Sequence, residues 1–398
     1  MKEELSTLDK IIERAQKEVD NIESNNYTIY FNLYDTNGLP KAKEMYLYQT
    51  AYALHELGYN VKMLYAKRLE KNPKTGAMVD TFVGVKDWLG EKYANLPHQN
   101  ISEEALKESE EEFLTNPSDL FFIPEIFSNI MNNLTPGVNE KGERVGINSR
   151  RVIVSQDIDF ISDVIPMGRE WSDYKIFDVL TTSEMQSDII KSYFPYMKTK
   201  VVNPMIENRF RPSSKQKELS ICIFCEDEKY VNKIVKPFQW KNPLFKFVTV
   251  KHLAGMTQDA MAEELKKSAI AVWVDRDTSW GYFPIEAIKS DTIVIGLLPE
   301  NVPDWMNNED KTDLNNAGIW VDNIQQLHKL LGSLVESFMT DTIPDSIIKD
   351  MEVIKQKYTE DEFKANVKKV FESYNEEYKT SLNEIIKEVN ERKTNIKK

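Results

Sequence analysis

The ten residues TSWGYFPIEA, 278 to 287, carry the side chains whose types and spacing best suit chemistry on a phosphorylated ligand. A glycine directly before a helix lets backbone N–H groups approach a phosphate, and the helix N-terminus favours its negative charge. Gly281 and Tyr282 are expected at such a start. Glu286, one turn further, can accept two hydrogen bonds from vicinal hydroxyls; the plainer reading is an ordinary glutamate on a helix surface. Its apolar neighbours Ile285 and Ala287 favour the first. Upstream, Asp275, Arg276 and Asp277 spell D-x-D, but the run follows a strand of the second half and no metal site is expected.

Further candidates lie at strand ends. Asp157 follows RVIVSQ, where open α/β sheets place ligands, although an Asx turn explains it equally well. His252, just after KFVTV, is the one histidine expected at a strand end facing a cleft. His55 and His328 fall on helices, neither at catalytic spacing from a carboxylate or serine, and His98 falls in a polar loop. Cys222 and Cys225 form a C-x-x-C within a strand-like run, where positions three apart point to opposite faces. Neither zinc binding nor a disulfide is expected of them.

These residues need a scaffold, and the chain between its ends alternates strand-like and helix-like segments, the pattern of a doubly wound parallel sheet. Expected strands are 28–33, 61–66, 119–123, 151–155, 178–182 and 200–204, then 219–224, 246–250, 269–274, 292–296 and 318–321. A helix over 41–57 is expected to stop at Gly58, which can take the left-handed conformation. Residues 67–117 are less regular, with a GVKDWLG piece and an acidic helix around Glu103 to Leu114. A polar crossing at 206–218 reads as a linker. The expected organisation is an amphipathic helix over 1–25, Rossmann-like domains over 26–205 and 206–358, and helices over 359–398. The stripe Leu5, Leu8, Ile12, Ala15, Val19, Ile22 and its counterpart Val367, Phe371, Tyr374, Tyr378, Leu382, Ile385, Val389 each need burial. Docking on the body is expected, with oligomerisation through the same stripes as the other outcome.

Residues 256–296 resemble the donor-binding stretch of the large retaining GT-B glycosyltransferase families, whose motif has the form E-G-F-G-hydrophobic-x-x-x-E-A. In that register Gly281 stands on the second glycine, Glu286 on the second glutamate, and Ala287 follows it. NGLPKAKEMYLYQTAYALHELGYNVKMLYA resembles the family's glycine-rich turn, long helix and second strand, with Gly38 in the turn. DVLTTSEMQSDIIKSYF and KVVNPMIENRFRP are similar to the segments that lead into the second domain, and all these matches run in the family's order. The resemblance implies two Rossmann-like domains facing a cleft, a nucleotide-sugar donor as substrate, no separate cofactor, and retention of configuration. It also implies that Glu286 holds the nucleotide ribose.

Departures from the family's pattern qualify this. Its first glutamate, which contacts the donor sugar, falls on Thr278, whose hydroxyl offers less to a sugar. Asp277, one position earlier, is then the candidate carboxylate, or merely a helix cap. Where the family has an arginine before its lysine, this chain has Cys225 followed by three acids. Lys229 and Lys233 remain as cations for the diphosphate, or as exposed lysines, with Arg276 or backbone dipoles as substitutes. Transfer of a sugar to an unidentified glycan, protein or small molecule is therefore expected, and a non-catalytic binding or assembly module is the alternative.

The formal charge of −13 over 398 residues works against sequence-independent attraction to nucleic acid or anionic lipid, though a local basic patch remains compatible with it. No run of about 18 apolar residues occurs and the start has no apolar h-region, so the cytoplasm is the expected compartment.

Overall fold

The computed structural model describes residues 2–397 apart from 35, 67–68, 72–73, 81, 101–115, 131–136, 139–143, 146–148, 226, 277–279 and 309–312. The acidic segment 103–114 and the site candidates Asp277 and Thr278 lie outside the described residues.

The amphipathic helix α1 (Lys2–Glu23) precedes β1 (Ile29–Asn32), α2 (Ala42–Glu56) and β2 (Val61–Tyr65). Gly58 has φ 89° and ends α2 by donating its N–H to His55 O, as its lack of a side chain predicts. Strands β3 (His98–Asn100), β4 (Leu120–Pro124) and β5 (Arg150–Ser155) follow, then α3 (Ile158–Val164), β6 (Asp178–Thr181), α4 (Glu184–Tyr193) and β7 (Lys198–Val201). The seven strands form one sheet in the order β7-β6-β5-β4-β1-β2-β3, parallel throughout. His98 thus begins an edge strand rather than sitting in a loop; three polar residues, HQN, carry no apolar signal for it.

The second half runs β8 (Glu218–Phe224), α5 (Glu228–Lys241), β9 (Thr249–His252), α6 (Gln258–Lys267), β10 (Ser268–Trp273), α7 (Tyr282–Lys289), β11 (Ile293–Leu297), β12 (Gly318–Val321), α8 (Ile324–Met339) and α9 (Asp345–Lys355). Its parallel sheet has the order β9-β8-β10-β11-β12. In β10 every residue is buried, the continuous apolar run expected of a strand covered on both faces.

The last helix, α10 (Glu360–Lys397), returns to the first half. Phe363, Val367, Phe371 and Tyr374 join the core beneath the seven-stranded sheet. This explains why α2 is buried along most of its length: Tyr46 meets Phe363 edge-on at 6.3 Å, so the face away from the sheet is covered as well. Beyond Tyr374 the helix pairs antiparallel with α1. Ala15, Val19 and Leu382 are buried between them, and Glu4–Arg392, Asp9–Lys393 and Glu23–Lys379 pairs line the seam. The C-terminal stripe is thus divided: Val367, Phe371 and Tyr374 dock on the body, Tyr378 and Leu382 meet α1 within the same chain, and Ile385 stays exposed. No helix among the described residues is long and apolar enough to cross a membrane.

Candidate active site

Strand β10 ends in Trp273, and the indole face lies against the backbone of Gly281 at the start of α7. Gly281 has φ 77°, and a Cβ there would stand 3.0 Å from that ring. Backbone conformation and space both demand glycine at this position. One turn on, Glu286 is 2% exposed, and burial pushes its carboxyl up to about 8, with nearby Glu207 adding to the rise and Arg209 opposing it. It is far from a surface glutamate.

Tyr282 projects from α7 towards the first half. Its hydroxyl is buried without a hydrogen-bond partner, within electrostatic reach of Tyr46, Glu286 and Tyr34. Tyr34 follows β1, and its hydroxyl is likewise buried and unpartnered, near Glu44 and Glu125. Glu125 stands at the carboxyl end of β4. One oxygen accepts the Gln156 N–H at 3.1 Å while the other is buried with no partner. Burial raises this carboxyl to about 7, Lys43 opposing. Three unsatisfied polar atoms, from Glu125, Tyr34 and Tyr282, thus belong to successive electrostatic neighbours that lead from the first sheet to Glu286. Buried polar groups are nearly always paired, so such a set asks for polar atoms from elsewhere.

Beside it, Lys43 of α2 pairs with Asp157 at 2.7 Å and stands 4.8 Å from the Phe160 ring centre. Asp157 also caps α3, accepting the Phe160 N–H at 3.3 Å. Asp157 thus forms the turn that its residue type suggests.

Two joints hold the halves together. Buried Glu207 pairs with half-buried Arg209 on the crossing after β7, and Tyr93 donates its hydroxyl to Glu207. Arg209 extends to Leu89 O at 3.0 Å and Asp259 at 2.9 Å, while Gln258 N–H reaches Trp88 O at 3.0 Å. On the other side Asp304 accepts the first amides of α4, Glu184 at 2.6 Å and Met185 at 3.2 Å. This carboxylate complements the positive end of that helix.

The remaining sequence candidates are more dispersed. Lys229 and Lys233 are exposed on α5, whose first turn is capped by Asp227 rather than left open. Arg276 is exposed beyond β10, its carbonyl accepting the Glu300 N–H at 3.1 Å. Gly38 belongs to a reverse turn in which Asn37 and Gly38 both have positive φ and Leu39 N–H returns to Thr36 O at 3.1 Å. The turn precedes α2 by several residues, so Gly38 is not at that helix's N-terminus. His252 donates from Nε2 to Cys225 O at 2.6 Å, tying the end of β9 to that of β8. Cys222 and Cys225 are free thiols. Glu125, Tyr34 and Lys43 escaped the sequence reading. The signal for Glu125 was available, since it is the first polar residue after the buried run LFFIP.

No protein-family model and no curated protein sequence matches this chain; its likenesses are among solved structures. The pneumococcal O-GlcNAc transferase GtfA, solved with UDP and GlcNAc, superposes with a TM-score of 0.56 at 9% identity, covering 90% of this chain and 99% of that one. HepE of Anabaena, solved with UDP-glucose, gives 0.54 at 9% identity over 87% and 100% of the two chains. Sucrose-phosphate synthase of Thermosynechococcus elongatus gives 0.53 at 10%, over 87% and 99%. At this identity the shared property is architecture: two parallel α/β sheets, as in these glycosyltransferases, which is the GT-B fold.

Proposed function

We propose that the protein binds a nucleoside-diphosphate sugar against α7 and transfers the sugar to a hydroxyl acceptor held by the first half. The observation that carries this is the set of unsatisfied Glu125, Tyr34 and Tyr282 atoms, each an electrostatic neighbour of the next, with Tyr282 also a neighbour of Glu286. A sugar with its hydroxyls supplies donors and acceptors for such a set. Structural neighbours solved with UDP, or with UDP-glucose, support a nucleotide as the ligand.

In this reading Glu286 accepts the ribose hydroxyls, and the N-terminal amides of α7 receive phosphate oxygens beside Gly281. Lys229, Lys233 and Arg276 supply charge at the rim. Glu125 accepts a hydrogen bond from the attacking hydroxyl, and Lys43 steadies Asp157 beside it. Retention, implied by the family resemblance, assigns the released proton to the departing diphosphate, on the face from which the acceptor attacks. Residues 26–205 form the acceptor side and 206–358 the donor side. Two free thiols suit a reducing cytoplasm.

Calorimetry with uridine, guanosine and adenosine diphosphates tests the donor site. Glu286→Ala should weaken the preferred one by about 0.5 to 1.5 kcal/mol at neutral pH, the range for a hydrogen bond to a neutral group. Equal affinity in both proteins removes Glu286 from the site. One observation favours the alternative of a non-catalytic binding module: Asp227 occupies the cap of α5, where a diphosphate-binding cation would be useful. Binding without turnover of any sugar nucleotide would select it.

A further inference from the structure

The 30 residues from Lys229 to Gln258 contain six lysines and no acidic residue, in a chain whose formal charge is −13. Lys251 is paired with Glu264. Among the described residues no ion pair engages Lys236, Lys241 or Lys246, and all three are exposed. The segment also bears three large apolar side chains in solvent: Trp240 is 75% exposed, Leu244 84% and Phe247 61%. A mobile surface loop would account for such exposure cheaply, but this turn is firmly held. Phe238 is buried and stacks on Phe245 at 6.5 Å, Asn242 donates to Phe238 O at 2.9 Å, and a Cβ on Gly332 of α8 would stand 2.6 Å from the Asn242 side chain. Buried Phe238 and half-buried Phe245 anchor the turn from below while Trp240, Leu244 and Phe247 face solvent between lysines. Met339, also exposed, borders the groove of about 690 Å³ that separates the turn from α8; Glu336 and Lys329 complete its charged rim.

We propose that this turn is a docking surface for a bilayer containing anionic phospholipids. Lysines without carboxylate partners complement negatively charged headgroups, and Trp, Leu and Phe between them gain by insertion at the headgroup level. A nucleic acid would use the charge but leaves Leu244 and Phe247 without purpose. An acidic overall charge then orients the molecule, holding the rest of its surface off the bilayer. The proposal is independent of the sugar-transfer reading and involves none of the cleft residues.

The test is co-sedimentation with phosphatidylcholine vesicles, with and without phosphatidylglycerol, at low and high ionic strength. Binding is expected only with phosphatidylglycerol and should weaken with salt. Combined Lys236→Glu, Lys241→Glu and Lys246→Glu should reduce it on the order of a hundredfold, at roughly fivefold per lysine. Combined Trp240→Ser, Leu244→Ser and Phe247→Ser should abolish sedimentation, and the single Leu244→Ser should weaken it. Since every altered side chain is exposed, unchanged melting temperatures are expected and serve as the folding check. A blue shift in the fluorescence difference between wild type and Trp240→Phe on vesicle addition reports insertion. No sedimentation with anionic vesicles, or sedimentation unaltered in both combined variants, overturns the proposal. So does salt-sensitive binding of duplex DNA in place of vesicles, or self-association in light scattering that the serine variant removes.

Discussion

Glu286 and Glu125 are carboxyls held protonated by burial near neutral pH, and that has opposite consequences for stability and function. For Glu286 the folded value of about 8 lies above the reference 4.5, so the native state binds more protons than the unfolded chain between those values. Stability contributed by the neutral form is present at low pH and falls as pH rises through that window. Glu286→Gln should therefore flatten the decline, giving a melting temperature several degrees higher than wild type at pH 8 and little difference at pH 4. Calorimetric melts across pH check this, and parallel pH profiles would mean the carboxyl is solvated. Glu125, raised to about 7, behaves likewise over a narrower range. In our proposal it accepts a hydrogen bond from the attacking hydroxyl, and the ionised form accepts it more strongly, so turnover should rise with pH through about 7. Glu125→Ala should lower kcat by roughly ten- to a hundredfold, the loss of one hydrogen bond to a charged group, with little change in donor KM. An equal loss in KM instead would make it a donor-binding residue.

Two elements concentrate the strongest constraints. At the start of α7, Gly281→Ala meets both a left-handed backbone and the Trp273 ring, so a loss of roughly 1 to 3 kcal/mol is expected in chemical denaturation. It should also disturb ligand binding there; a variant as stable as wild type would show that the turn relaxes freely. The seam between α1 and α10 is the second. Deleting residues 1–24 uncovers Tyr378 and Leu382, which α1 now covers. The truncated protein should melt at a lower temperature and self-associate in light scattering, because a stripe without its partner seeks another. A monomer of unchanged stability would show that α1 contributes nothing to the fold.

At the scale of the molecule, the halves meet through Glu207, Arg209 and Tyr93 on one side and Asp304 on α4 on the other. Charge-assisted hydrogen bonds contribute about 1.5 to 3 kcal/mol each, enough to bias the separation of the halves without governing the stability of either core. Asp304→Ala should enlarge the radius of gyration in small-angle scattering and raise donor KM, with the far-ultraviolet spectrum unchanged. An unaltered scattering profile would place the control of closure elsewhere.

Periodicity alone determined most of the architecture. The strand runs of both sheets are apolar enough to announce themselves, though KFVTV pairs only from Thr249, and Gly58 ends α2 for a reason legible in its missing side chain. HQN at 98–100 was silent because an edge strand of polar residues leaves no apolar pattern. For the candidate site, Gly281 and Glu286 are singled out by the family motif they match, and the structure adds that Gly281 starts α7 with a positive φ and that Glu286 is buried one turn on. Glu125, Tyr34 and Tyr282 come from segments far apart in the chain. Their meeting depends on how two sheets and a crossing are packed, and no local pattern encodes that. The same holds for charge: the sequence fixes which residues are acids, but only tertiary burial decides that Glu125 and Glu286 titrate near neutrality, because desolvation is a property of the surroundings.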